Sequence, residues 1–179
     1  MLLANYIYIA ASIDGYIADL NCGVEWLDDI PNPDDLDFGF AEYMNKIDAV
    51  LMGKNSYEKL LTFEEWVYEK PVYVLSNSWT ILPKHKNGKA ELINGVIISV
   101  IDQLKTKGMH NLYIDGGKLI QSFLKEDLID ELIITTVPII LGSGIPLFGE
   151  VDSHLKFKHL HTEVFNNFLV KSHYIRDHN

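Results

Sequence analysis

A Gly-Gly pair set between a strand and a helix constrains this chain more than any other feature. The segment reads His110-Asn111-Leu112-Tyr113-Ile114-Asp115-Gly116-Gly117-Lys118-Leu119-Ile120-Gln121-Ser122-Phe123-Leu124. Leu112 to Ile114 is a short apolar β run, whereas Leu119, Ile120, Phe123 and Leu124 recur at helical spacing. A helix N-terminus carries unpaired N–H groups and partial positive charge. Two glycines there let the backbone approach an anion closely, which suits a pyrophosphate. A tight turn that only needs positive φ accounts for the same pair.

Two further segments favour the anion site. In Asp48-Ala49-Val50-Leu51-Met52-Gly53-Lys54-Asn55-Ser56-Tyr57 a strand ends at Met52 and Gly53 opens a turn. Ser56 is an N-cap or N1 candidate for a short helix through Leu60, and Lys54 puts a cation at the mouth of the turn. In Pro71-Val72-Tyr73-Val74-Leu75-Ser76-Asn77-Ser78 an apolar run again ends in small hydrogen-bonding residues. Ligands of α/β sheets bind outside the carboxyl ends of parallel strands. Three such ends side by side form a crevice for one extended phosphate-bearing ligand, and a dinucleotide fits that description.

A length of 179 residues fits one domain, 1–179, and 47% hydrophobic with 22% charged residues suits a chain that buries a core. The formal charge of −10 argues against nucleic acid as a partner, which wants a basic stripe. Cys22 is the lone cysteine, so no intramolecular disulfide forms, and it reads as an ordinary thiol. Met1 to Ile13 is apolar but lacks a basic n-region and a small-residue cleavage site, so it reads as a first strand. No run reaches the ~18 apolar residues of a spanning helix. A cytoplasmic protein with no membrane partner is the expectation.

Along the chain, Tyr6–Ser12 reads as strand one and 13–19 as a loop or a bent extension of it. A helix is expected to start in Pro31-Asn32-Pro33-Asp34-Asp35, where Asp34 and Asp35 suit the dipole, and to run to about Lys46. Strands follow at Ala49–Met52, Val72–Leu75 and Ala90–Ile93. Helices are expected at Ser56–Leu61, Val100–Lys107 and Gly117–Lys125. Leu112–Ile114 and Glu131–Val137 are strands, and 139–149 is an apolar loop that shapes a site wall or a subunit contact. Leu155–Phe165 and Phe168–Arg176 form a hairpin around Asn166-Asn167, a type I′ signal. This pattern gives an α/β fold with a mixed, mainly parallel sheet, helices on both faces and a C-terminal antiparallel hairpin.

The motifs resemble the dihydrofolate reductase-like family, in the branch of the reductase domain of riboflavin biosynthesis. The matching segments are Ala10-Ala11-Ser12-Ile13-Asp14-Gly15-Tyr16-Ile17-Ala18, Val50 to Tyr57, Val74-Leu75-Ser76, Tyr113 to Gly117, and Asp130-Glu131-Leu132 leading to Leu141-Gly142-Ser143-Gly144-Ile145-Pro146-Leu147-Phe148. They come in family order over nearly the whole chain. The resemblance implies a single-domain three-layer fold and NADPH as hydride donor. It also implies that Gly53, Lys54 and Ser56 with Leu75 and Ser76 embrace the adenosine end. Gly116, Gly117 and the neighbouring Lys118 would take the pyrophosphate, and Ala11 would lie along the nicotinamide edge. Lys54 falls where the family commonly has a basic residue near the 2′-phosphate, with Ser76 and Asn77 beside it; a solvated surface lysine is the plainer account. The resemblance also suggests a homodimer.

The expected activity is reduction of a small heterocyclic or imine-bearing substrate, of riboflavin-pathway or pterin type. A non-catalytic NADP(H)-binding protein and a true dihydrofolate reductase are the alternatives. The latter is disfavoured because Ser56 to Pro71 holds no arginine to clamp a carboxylate, and Arg176 is the sole arginine of the chain. No deaminase zinc signature is present. Asp37 aligns with the helix acid of dihydrofolate reductases, and Asp14 sits where strand one opens into the cleft. Either is a candidate proton donor, and each is equally a local cap, of a helix start or of an Asx turn. His159-Leu160-His161 puts two imidazoles on one face of a strand, without a third metal ligand. No metal is expected.

Overall fold

The computed structural model describes residues 4–32, 35–86 and 88–179. Its frame is an eight-stranded sheet. β1 (Ala4–Ser12), β3 (Ala49–Gly53), β4 (Val72–Leu75), β5 (Ala90–Ile93), β6 (Asn111–Asp115) and β7 (Glu131–Val137) run parallel, and β9 (Phe157–Phe165) and β10 (Leu169–Arg176) close it as an antiparallel hairpin. The order across the sheet is β5-β4-β3-β6-β1-β7-β10-β9. β2 (Tyr16–Ala18) and β8 (Ile145–Pro146) form a separate two-stranded ribbon. The ribbon joins the segment expected to be a loop or bent extension, 13–19, to the expected loop 139–149.

Alternation along the central strands sorts the core into two clusters. Ile7, Leu51, Leu112 and Ile114 face α3 (Ile97–Thr106) and α4 (Gly117–Lys125), whose Val100, Leu104, Ile120 and Phe123 are fully buried. Val50, Met52, Val72, Val74 and Tyr113 face the other way, onto Tyr43 of α1 (Phe40–Asn45) and Tyr57 and Leu60 of α2 (Lys54–Leu60). Cover on both faces is why these strands read as continuous apolar runs. No helix among the described residues is long and apolar enough to cross a membrane.

Three local expectations are corrected. The helix expected from Asp34 to about Lys46 spans only Phe40–Asn45; Pro33 and Asp34 lie outside the described residues. Asp35, Phe38 and Gly39 take φ of +50°, +54° and +87°, a left-handed backbone that no α-helix tolerates. Ser56 is not the cap of α2, which begins at Lys54. The two histidines of β9 do not share a face. A bulge at Leu160 sets His159 against Tyr174 and His161 against His173, and adjacent residues of β10 point to opposite sides. The expected turn at Asn166-Asn167 is present, both residues having φ of +52°.

Candidate active site

The sheet changes direction of build between β3 and β6. The helix after β3, α2, packs on one face and the helix after β6, α4, on the other. A crevice opens at such a switch point, beyond the carboxyl ends of the strands. Here it is a cavity of about 500 Å³. Its floor comes from Ile9 and Ala10 of β1, Met52 and Gly53 of β3, Leu75 of β4 and Asp115 of β6. The β2–β8 ribbon lines one side through Ile17, Ala18 and Ile145.

The turn into α4 is the tightest part of the floor. Gly116 has φ +96°, and a Cβ built on it would fall 2.0 Å from Ser56 Oγ. A Cβ on Gly117 would meet Ile145 Cγ2 at 2.9 Å and Ile17 Cδ1 at 3.0 Å. Both positions therefore need glycine for packing, Gly116 against Ser56 and Gly117 against the β2–β8 ribbon. Lys118 and Lys54 also line the cavity. Lys54 Nζ lies 3.7 Å from Glu58 Oε1 and 5.1 Å from the centre of the Trp79 ring.

The cavity contains an acid that sequence reasoning passed over. Asp115 ends β6 immediately before the glycines and lines the cavity. Burial pushes its carboxyl up to about 6; the Tyr68 hydroxyl, which donates to Oδ2 at 3.3 Å, and the Gly116 N–H pull weakly the other way. Some of its surface stays open because one side faces the cavity. Behind it stand Tyr113 and Tyr43, with ring centres 5.4 Å apart, whose phenols burial holds neutral far above the usual range. Tyr68, from the irregular segment before β4, is likewise held neutral by burial and by the carboxyl beside it. The signal for Asp115 was in the motif itself, an acid at the last position of an otherwise apolar strand.

Neither acid chosen from the sequence lines this cavity. Asp14 accepts a hydrogen bond from the Ser12 hydroxyl at 2.6 Å and from the Leu141 and Gly142 N–H groups at 3.1 and 2.7 Å. These bonds, the Ser12 one foremost, hold its carboxyl below the ordinary range. It latches the 139–149 segment to the end of β1. Asp37 accepts from the N–H groups of Ala41 and Gly39, both at 2.9 Å, which lowers its carboxyl too. It caps α1 and is exposed.

These features converge on a family. Residues 6–171 match the RibD C-terminal domain. The chain belongs to that family. A Shewanella sp. PV-4 protein, provisionally described as a riboflavin biosynthesis protein, is 46% identical in sequence, with a TM-score of 0.93 over 98% of this chain and 99% of that one. The Thermotoga maritima diaminohydroxyphosphoribosylaminopyrimidine deaminase/5-amino-6-(5-phosphoribosylamino)uracil reductase aligns with a TM-score of 0.77 at 19% identity, over 98% of this chain and 57% of that one. Dihydrofolate reductase from Enterococcus faecalis, complexed with NADP(H), aligns at 0.66 and 13% identity over 97% of this chain and 96% of that one. The fold is that of the dihydrofolate reductase-like group.

Within this RibD-type domain, the expected nucleotide residues divide. Gly53, Lys54, Ser56, Leu75, Gly116, Gly117 and Lys118 come together around the cavity. Ala11 does not; it is 4% exposed and packed in the core, and its neighbour Ala10 reaches the cavity instead. Ser76 is buried, its Oγ accepting from the Ser78 and Trp79 N–H groups. Asn77 exchanges hydrogen bonds with Gly95 and lines an adjoining groove that shares Leu75 and Leu119 with the main cavity. Cys22 lines the cavity beside Val24 and Leu27, held in a loop whose Asn21 and Gly23 N–H groups both donate to Asp19 Oδ1 at 2.7 Å.

Proposed function

We propose that this RibD-type domain is an NADPH-dependent reductase of a small heterocyclic or imine-bearing substrate, with Asp115 as the residue that manages the proton. The observation that carries this is the placement of one buried acid directly before the glycine turn, in the same cavity. The cavity fits the nucleotide in one respect: the turn into α4 carries no side chain at Gly116 and Gly117, and Lys118 and Lys54 line the same cavity. Gly116, Gly117 and Lys118 would hold the pyrophosphate, Lys54 an added phosphate, and Ile9, Ala10 and Leu75 the apolar ring surfaces. When bound, NADPH supplies the hydride. Asp115, with a carboxyl near 6, exists in both protonation states close to neutrality, as a general acid requires. Tyr68 orients it by donating to Oδ2. Folate reduction is disfavoured, since Arg176 is engaged by Asp127 at 2.6 and 2.9 Å and cannot clamp a substrate carboxylate.

Titration of the protein with NADPH and NADH, followed by nucleotide fluorescence, tests the cofactor half of this proposal. NADPH should bind more tightly, and Lys54→Ala should bring the two affinities together. Absence of nucleotide binding, or a preference for NADH, would overturn it.

A further inference from the structure

The end of the cavity around Asp115 has a chemistry of its own. Val24, Leu27, Leu60, Phe63 and Val67 form its wall. Phe63 is 40% and Val67 51% exposed, so large apolar side chains stand open to whatever enters. Polar groups in the same lining include the Asp115 carboxyl, to which the Tyr68 hydroxyl donates, and the Cys22 thiol. Two cations of the lining have acidic neighbours, Lys54 with Glu58 at 3.7 Å and Lys59 with Glu25 at 2.8 Å, and on the reductase proposal Lys118 serves the pyrophosphate. Arg176 is engaged by Asp127. With Lys118 and Lys54 given to the nucleotide on that proposal and Lys59 paired, this end presents an acid and apolar surface to a substrate. A phosphate ester placed here would lose its water, meet no charge partner and face a carboxylate.

Resting on the reductase proposal, we infer that the substrate is a phosphate-free, largely apolar compound with a basic nitrogen, such as a cyclic imine or an aromatic nitrogen heterocycle. The nitrogen takes the Asp115 proton and pairs with the resulting carboxylate while the ring packs on Leu27, Leu60, Phe63 and Val67. For an imine the balance is simple. Hydride from NADPH forms the C–H bond at the imine carbon, the C=N π pair becomes the nitrogen lone pair of the amine, and the proton on nitrogen is the one gained on protonation. The nicotinamide is oxidised to NADP⁺, and one proton is consumed overall. This substrate class differs from the phosphoribosyl compound named for the Thermotoga maritima reductase.

Two probes with one ring and opposite head groups decide between the classes: benzamidine, a cation, and phenyl phosphate, an anion. Each is titrated by calorimetry near neutral pH into the protein with and without saturating NADP⁺. Benzamidine should bind tighter than phenyl phosphate by on the order of 10-fold or more. Asp115→Asn should remove that preference. Phe63→Ala, at an exposed position that folding tolerates, should weaken benzamidine several-fold. Tighter phenyl phosphate, no binding of either probe, or benzamidine affinity indifferent to Asp115→Asn would each overturn the inference. The arm without nucleotide keeps this result separate from the cofactor proposal, which fails on its own if NADP(H) does not bind.

Discussion

Three aspartates in this chain show how environment, not residue type, assigns a chemical role. Asp14 and Asp37 each accept two backbone N–H groups, and the bonds favour the charged form. A carboxyl kept ionised in this way is poorly suited to giving up a proton at neutral pH. Asp115 is surrounded by protein and by the neutral phenols of Tyr68, Tyr113 and Tyr43, and its charge is disfavoured. The folded pKa, about 6, lies above the ordinary carboxyl value of 3.8. The associated stability is therefore fully present below about 3.8 and is lost as pH rises through about 6. Asp115→Asn should relieve a penalty of roughly 1–3 kcal/mol above that window and none below it. Urea denaturation of wild type and variant on both sides of the window checks this. An advantage for the variant that does not change with pH would show that burial of charge is not its source.

At the scale of elements, turns were the most legible part of the sequence. Asn166-Asn167 announced a hairpin, and both residues hold the positive φ that a type I′ turn demands. Asn166→Val should accordingly cost ~1–2 kcal/mol, and Asn167→Gly should be close to neutral. Thermal denaturation of the two variants is the check, and equal losses would argue against a strained turn. The strands of the parallel sheet were legible because burial on both faces makes them apolar throughout. The α1 region was not. Asp34 and Asp35 look like helix-start acids, but Gly39 and the left-handed Phe38 delay the helix to Phe40, and Asp37 caps it from outside. The β2–β8 ribbon was hidden for a different reason. It pairs segments more than a hundred residues apart, with register contacts at Tyr16–Pro146 and Ala18–Ile145, and nothing local marks either one. Ala11 lies in the core and Ala10 lines the cavity, since one residue along a strand exchanges one side for the other.

Across the whole molecule the helices cover only part of the sheet. They pack on β1, β3, β4 and β6, and β9 is left open. β9 is an edge strand exposed along most of its length, with Leu160 at 50% and Val164 at 60%; Ile140 and Phe148 are exposed at 70% and 52%. We propose that a second copy of the chain covers this end as an isologous homodimer. Light scattering at micromolar concentration should give twice the 20.4 kDa chain mass, and Val164→Lys should shift it toward one; a wild-type mass near 20.4 kDa contradicts the dimer. The candidate site was legible as a set of strand ends and a glycine turn, since those are local patterns. Its acid was not, because only the folded sheet shows which of several carboxyls lies in the cavity. The most direct test of that assignment is the pH profile of NADPH oxidation with 2-phenyl-1-pyrroline, compared for wild type, Asp115→Asn and Asp37→Asn. Wild-type kcat should decline above about pH 6 as Asp115 ionises. Asp115→Asn should lower kcat by on the order of 10²–10⁴-fold and abolish that limb, with NADPH affinity little changed, while Asp37→Asn stays within a few-fold of wild type. Equal small losses in both variants, with the limb intact, would contradict a catalytic acid at the end of β6.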